Sequence, residues 1–150
     1  MIDRLRRMLP ALWAGMLLCV ALIATPAPFA TLPVADAGRV VARMFVPEAW
    51  FSLSVAVLLL AIERQRARAA AELGRGSVLS TEMLMLFGTL FCTVAGYFGI
   101  QSLMPAARAG QGSFTFGQLH LASTVFFGLK TLLVLWLAWR GTHAPRPDQS

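Results

Sequence analysis

The stretch TVFFGLKTLLVLWLAWR, residues 124–140, carries one charged side chain before its terminal arginine. That side chain is Lys130, the only lysine in the chain. A surface helix of a soluble protein alternates an apolar stripe with a charged face, and this stretch has no charged face. A run this long and apolar reads as a membrane-spanning helix, because crossing about 30 Å of hydrocarbon takes roughly 20 residues. Within a span of residues 119–139, Lys130 lies near the middle, about 15 Å from either end at ~1.5 Å per residue.

The rest of the chain repeats the pattern. It has 150 residues, of which 57% are hydrophobic and only 13% charged, with a mean hydropathy of +0.68. That balance excludes an ordinary soluble domain. Four segments are long and apolar enough to span: residues 8–24, 47–62, 81–104 and 119–139. The expected fold is all-α, a polytopic membrane protein built as a four-transmembrane-helix bundle. It forms one domain over residues 1–140, followed by a disordered tail at 141–150. The runs are too long and do not alternate, which excludes a transmembrane barrel.

Local chemistry suggests the boundaries. Pro26 and Pro28 end the first span and Pro105 the third. Pro47 suits the first turn of a helix, where its missing N–H costs nothing. Ser80 is a candidate N-cap, with Glu82 at the positive helix end. Gly141 is a candidate C-cap. Residues 32–45 place Val34, Val41, Met44 and Phe45 on one side and Asp36, Arg39 and Arg43 on another. This predicts a short amphipathic interfacial helix between spans one and two. Residues 63–73 are strong helix formers that extend span two as far as Gly74.

Charge sets the orientation. The net charge is +6 and the isoelectric point about 11.0. The arginines form short clusters beside apolar runs and are not interleaved with aromatics, so nucleic acid is not the expected partner; the lipid bilayer is. Arg4, Arg6, Arg7, Arg64, Arg66, Arg68, Arg75, Arg140 and Arg146 fall on one side, against Arg39, Arg43 and Arg108 on the other. The positive-inside rule then puts both termini in the cytoplasm. The bias to arginine over lysine fits a GC-rich bacterial genome, and so a bacterial inner membrane. Trp13, Trp136 and Trp139 are expected at the cytoplasmic interface and Trp50 at the outer one. MIDRLRR followed by an apolar core and APFA also resembles a signal peptide cut after Ala30. The long core and the prolines near the cut favour a retained span.

Small residues recur at four-residue spacing: Ala11, Gly15 and Cys19 in span one, and Gly88, Cys92 and Gly96 in span three, continued by Gly99. In lipid, helices associate by close packing at such residues, so spans one and three are expected to touch along these stripes. The cysteines belong to the stripes. There is no CxxC and little reason for a disulfide in mid-membrane.

The polar residues are few. A charged side chain at the bilayer centre needs protein, water or a partner. With Glu48 placed at the outer edge, no carboxylate lies within the ~6 Å reach of Lys130. Three readings stay open: a hydrogen bond to Ser54, Thr89, Thr93 or a carbonyl; a water-filled cavity; or an acidic residue of another subunit. Ser123 shares the face of Lys130, with His120 alongside. Glu48, Gln101 and His120 are expected together at the outer edge, either as a clip between helix ends or as a weak metal or proton site. A single histidine with a single carboxylate makes a poor metal site, so no metal and no cofactor are expected. There is no Walker loop, GxGxxG, GxSxG or HExxH, and no catalytic residue stands out. The seven methionines are scattered, which suits packing.

Three blocks form a recognisable set: TPAPFATLPVADAGRVVARMF at 25–45, CTVAGYFGIQSLMPAAR at 92–108 and FGQLHLAST at 116–124. With them the chain resembles the bacterial domain-of-unknown-function family 4149, related to eukaryotic transmembrane protein 205. The resemblance covers residues 4–139. It implies a small four-helix integral membrane protein and no known activity. The expected function is a non-enzymatic membrane component that assembles with itself or with a membrane partner. The alternative is a small transporter or ion-handling protein using the polar sector around His120 and Lys130.

Overall fold

The computed structural model describes residues 2–74 and 79–142. These residues are entirely helical apart from short connections, and they contain four helices long and apolar enough to cross a membrane. We label them α1 (Ile2–Thr31), α2 (Val34–Glu72), α3 (Thr81–Arg108) and α4 (Phe116–Thr142). Residues 143–150, most of the expected tail, lie outside the described residues, whereas residues 141 and 142 continue α4.

Each helix outruns its expected boundary, for identifiable reasons. In α1 the turns at Val20–Ala24 widen to π geometry, and Thr25 N–H donates to the Val20 carbonyl at 2.9 Å. The wider turn precedes Pro26, which opens the following α-helical turns, so the prolines do not end the helix. A second π segment, Val94–Gly99, interrupts α3, and the helix passes through Pro105 to Arg108. It ends in a Schellman motif. Gln111 N–H reaches the Ala106 carbonyl, Gly110 N–H reaches that of Ala107, and Gly110 takes the required positive φ of 68°. Ser80 caps α3 as anticipated, its Oγ accepting from Met83 N–H at 3.2 Å. Gly74, with φ of 67°, follows the end of α2.

The largest departure is in α2. No separate interfacial helix exists: residues 34–46 are helical but run without a break through Pro47 into span two. The 39-residue helix is about 58 Å long, nearly twice the hydrocarbon thickness. Proline is tolerated inside membrane helices because its neighbours re-satisfy the freed carbonyl.

The helices run up, down, up, down. α1 packs on α2 and α4, and α3 packs on α2 and α4, so α1 faces α3 across one diagonal and α2 faces α4 across the other. The expected packing of spans one and three along their small residues is therefore corrected. Gly88 and Gly96 serve α4 instead. A Cβ on Gly96 would overlap the Phe126 Cβ, and one on Gly88 would sit 3.0 Å from the Leu133 Cδ1. Ala11, Gly15 and Cys19 face outward, and a Cβ on Gly15 would meet nothing within 4 Å. The bundle centre is filled by Trp13, Leu17, Val55, Leu59, Leu86 and Val134. A smaller cluster of Ile100, Met104 and Leu119 closes the other end between α3 and α4.

Candidate functional site

A buried polar chain crosses the middle of the bundle. Trp13 Nε1–H of α1 donates to Ser52 Oγ at 2.9 Å. Ser52 Oγ donates to Glu48 Oε1 at 2.6 Å, and Lys130 Nζ of α4 donates to the same oxygen at 2.7 Å. The ammonium also lies 4.9 Å from the centroid of the Phe127 ring, which adds a cation–π contact. Relative exposure is 0% for Trp13 and Ser52, 4% for Glu48 and 3% for Lys130. The pair spans the α2–α4 diagonal, where the backbones are too far apart to pack and only long side chains meet. Phe45 and Phe127 cross the same diagonal edge to face, with centroids 5.4 Å apart.

Lys130 thus has an acidic partner within its own chain, which corrects all three sequence readings. Ser54, Thr89 and Thr93 do not bind it: their hydroxyls donate to the Trp50, Leu86 and Thr89 carbonyls of their own helices. The sequence arithmetic failed because it began span two at Pro47 and so put Glu48 at the membrane edge. In the structure Glu48 is well inside a longer helix. Counting from the layer of ion pairs at the arginine-rich end, Lys130 lies ten residues from Arg140, about 15 Å. Glu48 lies fifteen residues from Glu63, about 22 Å. The remaining ~7 Å is closed by the lysine stem, which leans toward the N-terminus of its helix as Cβ geometry dictates.

The outer-edge cluster does not form. Glu48 is buried with Lys130, whereas Gln101 and His120 are both exposed. His120 stacks on Phe116, with centroids 5.9 Å apart and planes 14° apart. Ser123 donates to the Gly96 carbonyl at 3.1 Å, pinning α4 to α3 where the glycine lets them approach. Two residues of the polar chain escaped sequence reasoning. Ser52 follows Glu48 at i+4, the spacing of one helix face, and that was a readable signal. Trp13 was assigned to the interfacial belt, and nothing in its neighbours distinguishes a belt tryptophan from a core one.

A second polar feature lies at the arginine-rich end. Arg6 pairs with Glu63, Arg66 with Asp3, and Arg140 with Glu82 at 3.0 Å. Arg140 also covers the Trp136 ring at 4.9 Å. These ties join α1 to α2 and α4 to α3. They rim a cavity of about 630 Å³ that Pro10, Leu59, Leu86 and Leu137 also line.

These features define a class: a four-span helical membrane protein, with one ion pair buried at mid-bundle and a charged basin at one end. The chain belongs to the family described as Domain of unknown function (DUF4149), whose model matches residues 8–113. That match takes in Glu48, Ser52 and Trp13 and stops short of Lys130. No curated protein and no solved structure matches the chain.

Proposed function

We propose that this protein is a non-enzymatic component of a bacterial inner membrane that assembles with a second copy of itself through the outer face of α1. The observation that carries this reading is the contrast between the two small-residue stripes. Gly88 and Gly96 are used inside the bundle, where they admit Leu133 and Phe126. Ala11, Gly15 and Cys19 have the same spacing but face away from every other helix of the chain. Small residues lower the contact distance between membrane helices, and a stripe unused within the chain suits a contact between chains.

Lys130 no longer supports that interface, because Glu48 satisfies it internally. The internal pairing favours a non-enzymatic reading all the same, since the core carboxylate, hydroxyl and ammonium are engaged with one another. Arginine asymmetry supports cytoplasmic termini. The burial of Trp13 and Leu17 in the central core supports a retained first span. The test is the protein-only mass of wild type and Gly15→Leu in mild detergent. Wild type is expected as a dimer and Gly15→Leu as a folded monomer. A monomeric wild type at all concentrations ends the proposal.

The Glu48–Lys130 pair favours one other reading, an ion-handling protein, because ionisable groups at this depth commonly line ion or proton paths. Proton flux into proteoliposomes that disappears with Lys130→Met would support it over the assembly reading.

A further inference from the structure

The cavity at the arginine-rich end has an uneven charge balance. Arg6, Arg7, Arg66 and Arg140 line it, together with Glu63 and Glu82. Arg6 is neutralised by Glu63, Arg140 by Glu82, and Arg66 by Asp3 on the rim. Arg7 is half-buried and, among the described residues, pairs with nothing. Its backbone is held close to α4, where a Cβ on Gly141 would come within 3.7 Å of it. A cation that lines a cavity without a carboxylate partner is free to meet an anion there. Its planar fork of donors matches the oxygens of phosphate in two-point fashion.

We infer that this basin is a binding site for a phosphate monoanion held by Arg7. The single uncompensated positive charge sets the charge of the ligand, and the three ion pairs hold the neighbouring side chains in place around it. Two sources share that chemistry: the phosphodiester of an anionic lipid headgroup, and free dihydrogen phosphate. The volume of about 630 Å³ lies inside the roughly 300–1,000 Å³ range of small-molecule sites, large enough for a headgroup with its glycerol. Leu59 and Leu86 line the same cavity, so apolar surface lies beside the charged groups.

The test uses the full chain in neutral detergent, titrated separately with phosphatidylglycerol, inorganic phosphate and phosphate-free diacylglycerol. Native mass spectrometry reads the lipids and calorimetry reads the phosphate. Arg7→Gln is compared with Arg4→Gln, which removes an equal charge from an exposed arginine on the same helix that has no partner among the described residues. Wild type and Arg4→Gln are expected to bind a phosphate probe alike, and Arg7→Gln about tenfold or more weaker, as befits loss of a charged hydrogen bond. Binding of phosphatidylglycerol alone identifies the headgroup as the source. Binding of inorganic phosphate identifies the soluble anion. Should Arg7→Gln fail to insert, Arg7→Lys carries the test: a severalfold loss upholds the site and unchanged binding overturns it. The inference is also overturned if wild type holds diacylglycerol as well as the phosphate probes or binds neither probe, or if Arg4→Gln weakens binding as much as Arg7→Gln.

Discussion

Replacing Lys130 with methionine separates the two parts of a buried ion pair. Methionine keeps most of the stem volume, so the cavity term is small and the loss is electrostatic. At 2.7 Å and an effective dielectric near 20, the attraction between Glu48 and Lys130 is about 6 kcal/mol. Desolvation of two ions this deeply buried offsets most of it, so the pair adds little net stability. Breaking the pair is another matter. Lys130→Met leaves the Glu48 carboxylate with Ser52 as its remaining donor, and an uncompensated buried charge costs about 3–5 kcal/mol. Adding Glu48→Gln removes that charge while keeping an acceptor for Ser52. The double variant is therefore expected within about 1 kcal/mol of wild type, giving a coupling energy of at least ~2 kcal/mol. Reversible unfolding in mixed micelles, followed by circular dichroism, measures all four species. The reasoning is refuted if Lys130→Met is as stable as wild type, or if the double variant loses the sum of the two single effects.

Three further outcomes follow from the packing. Gly96→Ala is expected to cost about 1–3 kcal/mol in the same assay, because its Cβ would overlap that of Phe126, whereas Gly15→Ala costs the isolated chain under about 0.5 kcal/mol. Trp13→Phe keeps most of the core volume and removes the Nε1–H donor to Ser52, for a loss of about 1 kcal/mol. In the monomeric Gly15→Leu variant, a membrane-permeant maleimide is expected to label exposed Cys19 and to reach buried Cys92 only after unfolding; equal labelling rates would contradict the described packing.

Composition and run length were enough to read an all-helical, four-span bundle, because a bilayer leaves few other solutions for a chain this apolar. Ser80 and Gly74 were legible as boundaries because cap chemistry is local. The mid-bundle site was not legible, and the cause is specific. Pro47 was read by its preference for helix starts, but α2 carries it in its interior, which moves Glu48 from the membrane edge to within reach of the Lys130 side chain. A shift of one boundary thus turned an unpartnered lysine into half of an ion pair. The stripes misled for a different reason. Glycine spacing tells which face of a helix allows close approach, and it carries no information about which neighbour will use it. For span three that neighbour is α4; on α1 the same spacing is left unused within the chain.

That unused face supports the assembly reading, and the native cysteine on it offers a direct measurement. Cys19 ends the stripe that Gly15 centres, so two copies crossing at Gly15 bring their Cys19 thiols within reach of one another. Oxidation with copper phenanthroline in native membranes, followed by non-reducing electrophoresis, is expected to give a reducible dimer. Cys19→Ala and Gly15→Leu should both abolish it. A Cys19 that reacts with maleimide yet forms no dimer on oxidation would contradict self-assembly through α1.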